Sequence, residues 1–147
     1  SDAYQSESAL EKEFIKLLGE MGYEYLTIHT EAELIANLRK KIEELNDYVF
    51  TDEEWKRFFS LSIAGKNEKT RRIQEDNVQV LTRDNGETKN IKLIDGKVIH
   101  NNKLQVINQY EATDGRYNNR YDVTILVNGL PLVHVELKRR GVAISTC

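Results

Sequence analysis

The sequence predicts an α+β or mixed α/β domain in which N-terminal helices pack on a mixed β-sheet. Three observations carry this. In the first part of the chain, apolar residues recur at helical spacing behind capping signals. From Val78 onward they fall in short runs separated by Asn-Gly and Asp-Gly turns. Near the C-terminal end, two β-branched-rich runs meet at Asn128-Gly129, a strong hairpin signal.

The elements follow in order. Ser8-Ala9-Leu10-Glu11 reads as a capping box opening a first helix, with Leu10, Phe14, Ile15, Leu17, Leu18 and Met21 as its stripe and Gly22 as its stop. A second helix follows Thr30-Glu31-Ala32-Glu33 and presents Leu34, Leu38, Ile42 and Leu45. A third follows Thr51-Asp52-Glu53-Glu54, and its aromatics Trp55, Phe58 and Phe59 are core candidates. Strands are expected at Val78–Leu81, Ile91–Ile94 and Leu104–Tyr110, with turns at Asn85-Gly86 and Asp95-Gly96. Neither repeats nor a low-complexity linker interrupt the chain, whose 147 residues suit one domain.

The C-terminal hairpin admits two registers. A strict Asn128-Gly129 loop sets Asp122 against Val135 and mixes polar and apolar side chains on each face. A loop of Asn128 to Leu130 sets Val127 against Pro131, Thr124 against His134 and Asp122 against Glu136. It gathers Val123, Ile125, Val127, Val133, Val135 and Leu137 on one face and Asp122, Thr124, His134, Glu136 and Lys138 on the other, with Leu126 and Leu132 as the only apolar members of that second face. The cleaner separation favours the second register. Cβ atoms of opposed residues lie roughly 4.5–5.5 Å apart, so Asp122 and Glu136 would repel. Lys138 offsets part of that repulsion, and a hard divalent cation on the carboxylate oxygens would offset more. Asp, Glu and Lys around one metal is a phosphodiester-cleaving arrangement. On these residues alone, the favoured reading is a solvated hairpin face with a surface salt bridge.

The run Asn119 to Val133, continuing through Val135-Glu136-Leu137-Lys138 and Gly141-Val142-Ala143-Ile144, resembles the N-terminal nuclease domain of the R (restriction, motor) subunit of type I restriction-modification enzymes. Tyr4-Gln5-Ser6-Glu7-Ser8, with Leu10-Glu11 and Gly22-Tyr23-Glu24, resembles the opening helix of that subunit. The resemblance implies a restriction-endonuclease-like core and the PD-(D/E)xK signature. The catalytic Asp falls on Asp122, the metal-binding Glu on Glu136 and the catalytic Lys on Lys138. Tyr121 stands where the superfamily often has Pro.

The ion implied is Mg²⁺, with Mn²⁺ as a substitute, held by Asp122, Glu136 and the backbone carbonyl of Leu137. Glu7 is a weaker further ligand, since related nucleases bring a helix Glu toward the cluster; a carboxylate favoured by the helix dipole is the alternative. The family's next helix carries a Gln-x-x-x-Tyr motif not reached before Cys147, and Ser145-Thr146-Cys147 does not resemble its continuation. Residues 1–147 are therefore expected to be an endonuclease domain truncated on its C-terminal side, a fragment of a much larger motor subunit. Its expected partners are double-stranded DNA and the specificity and methyltransferase subunits. Cutting would be sequence-indifferent and would follow translocation driven by ATP bound outside this chain. A stand-alone repair nuclease or resolvase of the same superfamily and a non-catalytic docking domain are the alternatives.

The net charge of −3 argues against a uniformly basic DNA surface, because Lys and Arg supply most non-specific DNA affinity. Local patches remain at Lys138-Arg139-Arg140, beside the candidate site, and at Lys69-Thr70-Arg71-Arg72, which reads more simply as solvated charge. The single cysteine, Cys147, forms neither an internal disulfide nor a Cys-based zinc site. With no long apolar run and no signal-peptide pattern, a cytoplasmic protein without a membrane partner is expected. Gly65-Lys66 and Gly96-Lys97 lack the rest of a phosphate-binding loop, so no ATP site is read here. His29, His100 and His134 lack ligand spacing, and His134 reads as a strand-packing or surface residue.

Overall fold

The computed structural model describes residues 2–64, 77–113, 118–138 and 141–146, with side chains for 7–64, 77–111 and 120–138. Helix α1 spans Asp2–Glu20, so Ser8 lies inside it and the capping-box reading of Ser8–Glu11 does not hold. The reason is local: no Gly or Pro lies between Asp2 and Glu7, and Ala3, Gln5 and Glu7 carry the helix back past Ser8. Its end is as expected. Gly22 takes φ +100°, the Tyr23 N–H reaches the Leu18 carbonyl at 3.0 Å, and the Gly22 N–H reaches that of Gly19 at 3.1 Å. Leu17 and Met21, expected on the apolar stripe, are exposed instead.

Strand β1 is the two-residue Glu24–Tyr25. Helix α2, Glu31–Asn46, begins at Thr30, whose hydroxyl accepts the Glu33 N–H at 3.1 Å. Helix α3, Asp52–Phe58, begins at a full capping box in which the Thr51 hydroxyl accepts the Glu54 N–H at 3.1 Å and the Glu54 carboxylate accepts the Thr51 N–H at 3.0 Å. It widens into a π-helical turn over Phe59–Ile63.

Strands β2, Val78–Thr82, and β3, Thr88–Lys92, form a separate antiparallel hairpin around Asn85-Gly86. The expected third-quarter run Ile91–Ile94 only partly overlaps β3: the N–H groups of Leu93 and Ile94 turn to the Asn77 carbonyl. Strands β4, Leu104–Thr113, β5, Asn118–Val127, β6, Leu130–Lys138, and β7, Gly141–Thr146, join β1 in a five-stranded sheet of order β1-β4-β5-β6-β7. β1 pairs parallel with β4 and the rest pair antiparallel, so the sheet is mixed as expected.

The sheet is covered on both faces. Leu10, Phe14, Ile15 and Leu18 of α1 pack on Val106, Val123, Ile125, Val133, Val135 and Leu137. On the opposite face, Leu34 of α2 packs on Ile107 and Leu126. Later turns of the same α2 stripe contribute Leu38 and Ile42 to a second core with Phe50, Trp55, Phe58 and the β2–β3 hairpin. Phe50 lies at the centre of that core, its ring centroid 5.3 Å from Trp55 and 5.4 Å from Phe58.

Candidate functional site

The β5–β6 hairpin starts at Asn128 (φ 52°) and Gly129 (φ 85°), both left-handed as a two-residue type I′ turn requires. Val127 faces Leu130 and Leu126 faces Pro131, so the expected three-residue loop and Val127–Pro131 pair are not formed. The register then shifts between Ile125 and Leu126, with Leu132 as the extra residue of β6, and Ile125 faces Val133, Thr124 faces His134 and Val123 faces Val135. Near the site the register is the expected one. Both registers occur, joined by a bulge. The tight turn prevails because Asn128 is anchored: its backbone N–H reaches the Lys103 carbonyl at 2.8 Å, and its side-chain amide donates to the Leu93 carbonyl at 2.9 Å and to Asn102 Oδ1 at 2.8 Å.

Pairing of β5 with β6 runs as far as Val123–Val135. Beyond it, in place of the direct Asp122–Glu136 opposition expected from the sequence, the Leu137 N–H donates to Asp122 Oδ2 at 2.8 Å. The carboxylate fills the position a β5 carbonyl would hold, in a charge-assisted bond. Asp122 is half-buried, Leu137 is buried against α1, and Glu136 and Lys138 are exposed at the end of β6. By strand alternation, Glu136 and Lys138 share the face of His134.

That face is not solvated along its length. Thr124 and His134 are buried, with Thr124 Oγ1 3.1 Å from His134 Nδ1 and the Tyr121 ring stacked on His134 at 4.1 Å. Burial lowers the His134 pKa, favouring the neutral ring. His134 thus packs under Tyr121 instead of lining the open end.

Glu7 is exposed on α1. Glu11, one turn further along, reaches β4: its carboxylate accepts from Asn108 Nδ2 at 3.3 Å and Gln109 Nε2 at 2.5 Å. Gln109 carries φ 55° and lies between the pairs Asn108–Val123 and Tyr110–Tyr121, level with Asp122. Nothing in the local sequence signals this residue, because its conformation depends on a helix far away in the chain. Among the described residues, no three His, Cys, Asp or Glu side chains gather into a metal cluster. Arg139, Arg140, Lys69, Arg71 and Arg72 lie outside the described side chains. Among the described residues, no helix is long and apolar enough to cross a membrane.

The family model describing the N terminus of type I restriction enzyme R proteins matches residues 4–146. The chain is similar to the type I restriction enzyme EcoprrI endonuclease subunit of Escherichia coli, at 48% identity over 98% of this chain and 47% of that protein. It is also similar to the SauMSSORF170P endonuclease subunit of Staphylococcus aureus strain MSSA476, at 43% identity, and to the SsaAORF53P endonuclease subunit of Staphylococcus saprophyticus, at 42%. Each of these two matches covers 97% of this chain and 16% of the relative. The chain thus spans about half the length of the first relative and a smaller part of the others.

Proposed function

Since this chain belongs to the family of type I restriction enzyme R protein N termini, we propose that it carries the Mg²⁺-dependent endonuclease of the R subunit, cutting double-stranded DNA without sequence preference. In this reading, a motor outside the chain uses ATP to move the DNA, and specificity and methyltransferase subunits choose and mark the site. The observation that carries the reading is the Asp122–Leu137 hydrogen bond, which ties the β5 acid to the strand segment bearing Glu136 and Lys138.

The donor set suits a small hard cation. Mg²⁺ keeps several waters and takes one or two carboxylates besides substrate phosphates, so two acids and a carbonyl suffice. Asp122 commits Oδ2 to the Leu137 amide and has Oδ1 left as a ligand atom, while the Glu136 carboxylate is exposed. Within an antiparallel strand, the N–H and C=O of one residue project to the same side, which turns the Leu137 carbonyl toward Asp122. When bound, the ion would polarise a phosphoryl oxygen and activate water.

The chain's own groups do the rest. Asp122 and Glu136 hold and orient the site, and the Leu137 amide fixes the Asp122 carboxylate in place. Lys138, exposed at the end of β6, orients the attacking water or steadies negative charge as it develops on the phosphate. Glu7 is a weaker contributor from α1, and Arg139 and Arg140 would extend contact to the DNA backbone.

Calorimetric titration of Mn²⁺ into the chain and its Asp122→Ala and Glu136→Ala variants tests this. Saturable binding that both substitutions remove is the expected result. Equal binding by all three proteins would overturn the assignment.

A further inference from the structure

We infer that Gln109 and Glu11 are positioning residues for the proposed metal site: the left-handed Gln109, held by Glu11 of α1, turns Asp122 out of its sheet face and toward the Leu137 amide. This inference rests on the reading of Asp122 as a metal ligand.

The faces that successive side chains occupy on β4 and β5 mark the switch. On β4, Val106 packs toward α1 and Ile107 toward α2. Strict alternation would then send Asn108 to the α1 side, Gln109 to the α2 side and Tyr110 back to the α1 side. Instead, Asn108 and Gln109 both donate to the Glu11 carboxylate, and Tyr110 packs with Leu34, Ile107 and Leu126 on the α2 side. The strand changes face at Gln109.

Strand β5 makes the same change at the same level. Val123 packs toward α1, and its neighbour Thr124 bonds to His134 on the other side. Alternation would return Tyr121 to the α1 side, yet its ring stacks on His134. The residue at the switch is Asp122. It sits level with Gln109, between the ladder pairs Asn108–Val123 and Tyr110–Tyr121, and its carboxylate runs sideways to β6.

A φ of 55° is uncommon for a residue other than Gly, Asn or Asp, and such a conformation persists only where its surroundings impose it. Glu11 supplies that constraint through two amides. The Tyr25 hydroxyl adds to it by donating to Asn108 Oδ1 at 2.7 Å. If Gln109 relaxed to an ordinary extended φ, Tyr110 and Tyr121 would swing toward α1. Asp122 would then return to the α2 face, away from the Leu137 amide.

The test is Mn²⁺ affinity, with circular dichroism as a check on folding, for Glu11→Ala, Gln109→Val, Gln109→Gly and Asp122→Ala. Val resists positive φ and should weaken Mn²⁺ binding about 10- to 100-fold, the usual range for a group that orients a metal ligand. Glu11→Ala should weaken it in the same direction and remains informative if Gln109→Val fails to fold. Gln109→Gly keeps the left-handed backbone open and should rescue affinity, and Glu11→Ala added to Gln109→Gly should cost less than Glu11→Ala alone. Unchanged affinity in both Glu11→Ala and Gln109→Val, with binding lost in Asp122→Ala, would overturn this inference and leave the metal site standing. Equal loss in Gln109→Gly and Gln109→Val would also overturn it. Unchanged binding in Asp122→Ala would instead remove the reading on which it rests.

Discussion

Asp122 accepts the backbone N–H of Leu137 at 2.8 Å across the point where β5 and β6 cease to pair. One side chain thereby closes the ladder and is fixed beside Glu136 and Lys138. The bond costs the sheet a backbone rung and supplies a charge-assisted one, so the local fold and the proposed chemistry depend on the same carboxylate.

Gly129 marks a close approach between α2 and the hairpin that presents this site. A Cβ there would lie 2.6 Å from the Leu38 Cα, and φ is already +85°. Gly129→Ala combines a left-handed backbone penalty with forced separation of α2 from the turn. It should destabilise the chain by about 2–4 kcal/mol in urea denaturation.

Glu54 is 3% exposed, and its carboxylate accepts from the Thr51 N–H, the Tyr48 hydroxyl and the Asp84 N–H. These bonds, led by that from Thr51, lower its pKa against the opposing push of burial. Glu54→Ala leaves three donors without their acceptor and should cost about 1–3 kcal/mol or more by chemical denaturation. Thr51→Ala removes the cap and the hydroxyl's bond to Asp84 Oδ2 at 2.7 Å, and should cost about 0.5–2 kcal/mol.

Acid stability should carry the signature of Asp95. The Val98 N–H first, then the Asn101 side chain and the Lys97 N–H, hold its pKa down from 3.8 to about 2. A carboxylate whose folded pKa is depressed adds stability that is complete above the unfolded value and fades as pH falls through the folded value. Part of the stability should therefore disappear between pH 3.8 and about 2, and Asp95→Asn should flatten the denaturation midpoint across that window.

Local signals were legible in the sequence where nothing distant competed with them. Thr30 and Thr51 cap α2 and α3 because the capping geometry is complete within four residues. Ser8 has a similar pattern but sits among helix formers, so the helix runs through it. The hairpin was half legible: the face pattern selects the register at Val123–Val135, and the Asn-Gly turn selects the other register at Val127–Leu130. Only the bulge at Leu132 reconciles them. Strand β1 is too short for alternation to mark it. The burial of His134 depends on the Tyr110 and Tyr121 rings stacked on it, and the face switch depends on Glu11, far from Gln109 in sequence. Such long-range constraints leave no local pattern.

Whether Asp122, Glu136 and Lys138 form a DNA-cutting centre is decided by cleavage with a full R subunit carrying this segment, assembled with its partner subunits. Asp122→Ala, Glu136→Ala and Lys138→Ala should each lower double-strand cleavage by about 10²–10³-fold or more while ATP hydrolysis stays near its unsubstituted rate. Normal cleavage by all three variants would rule that centre out.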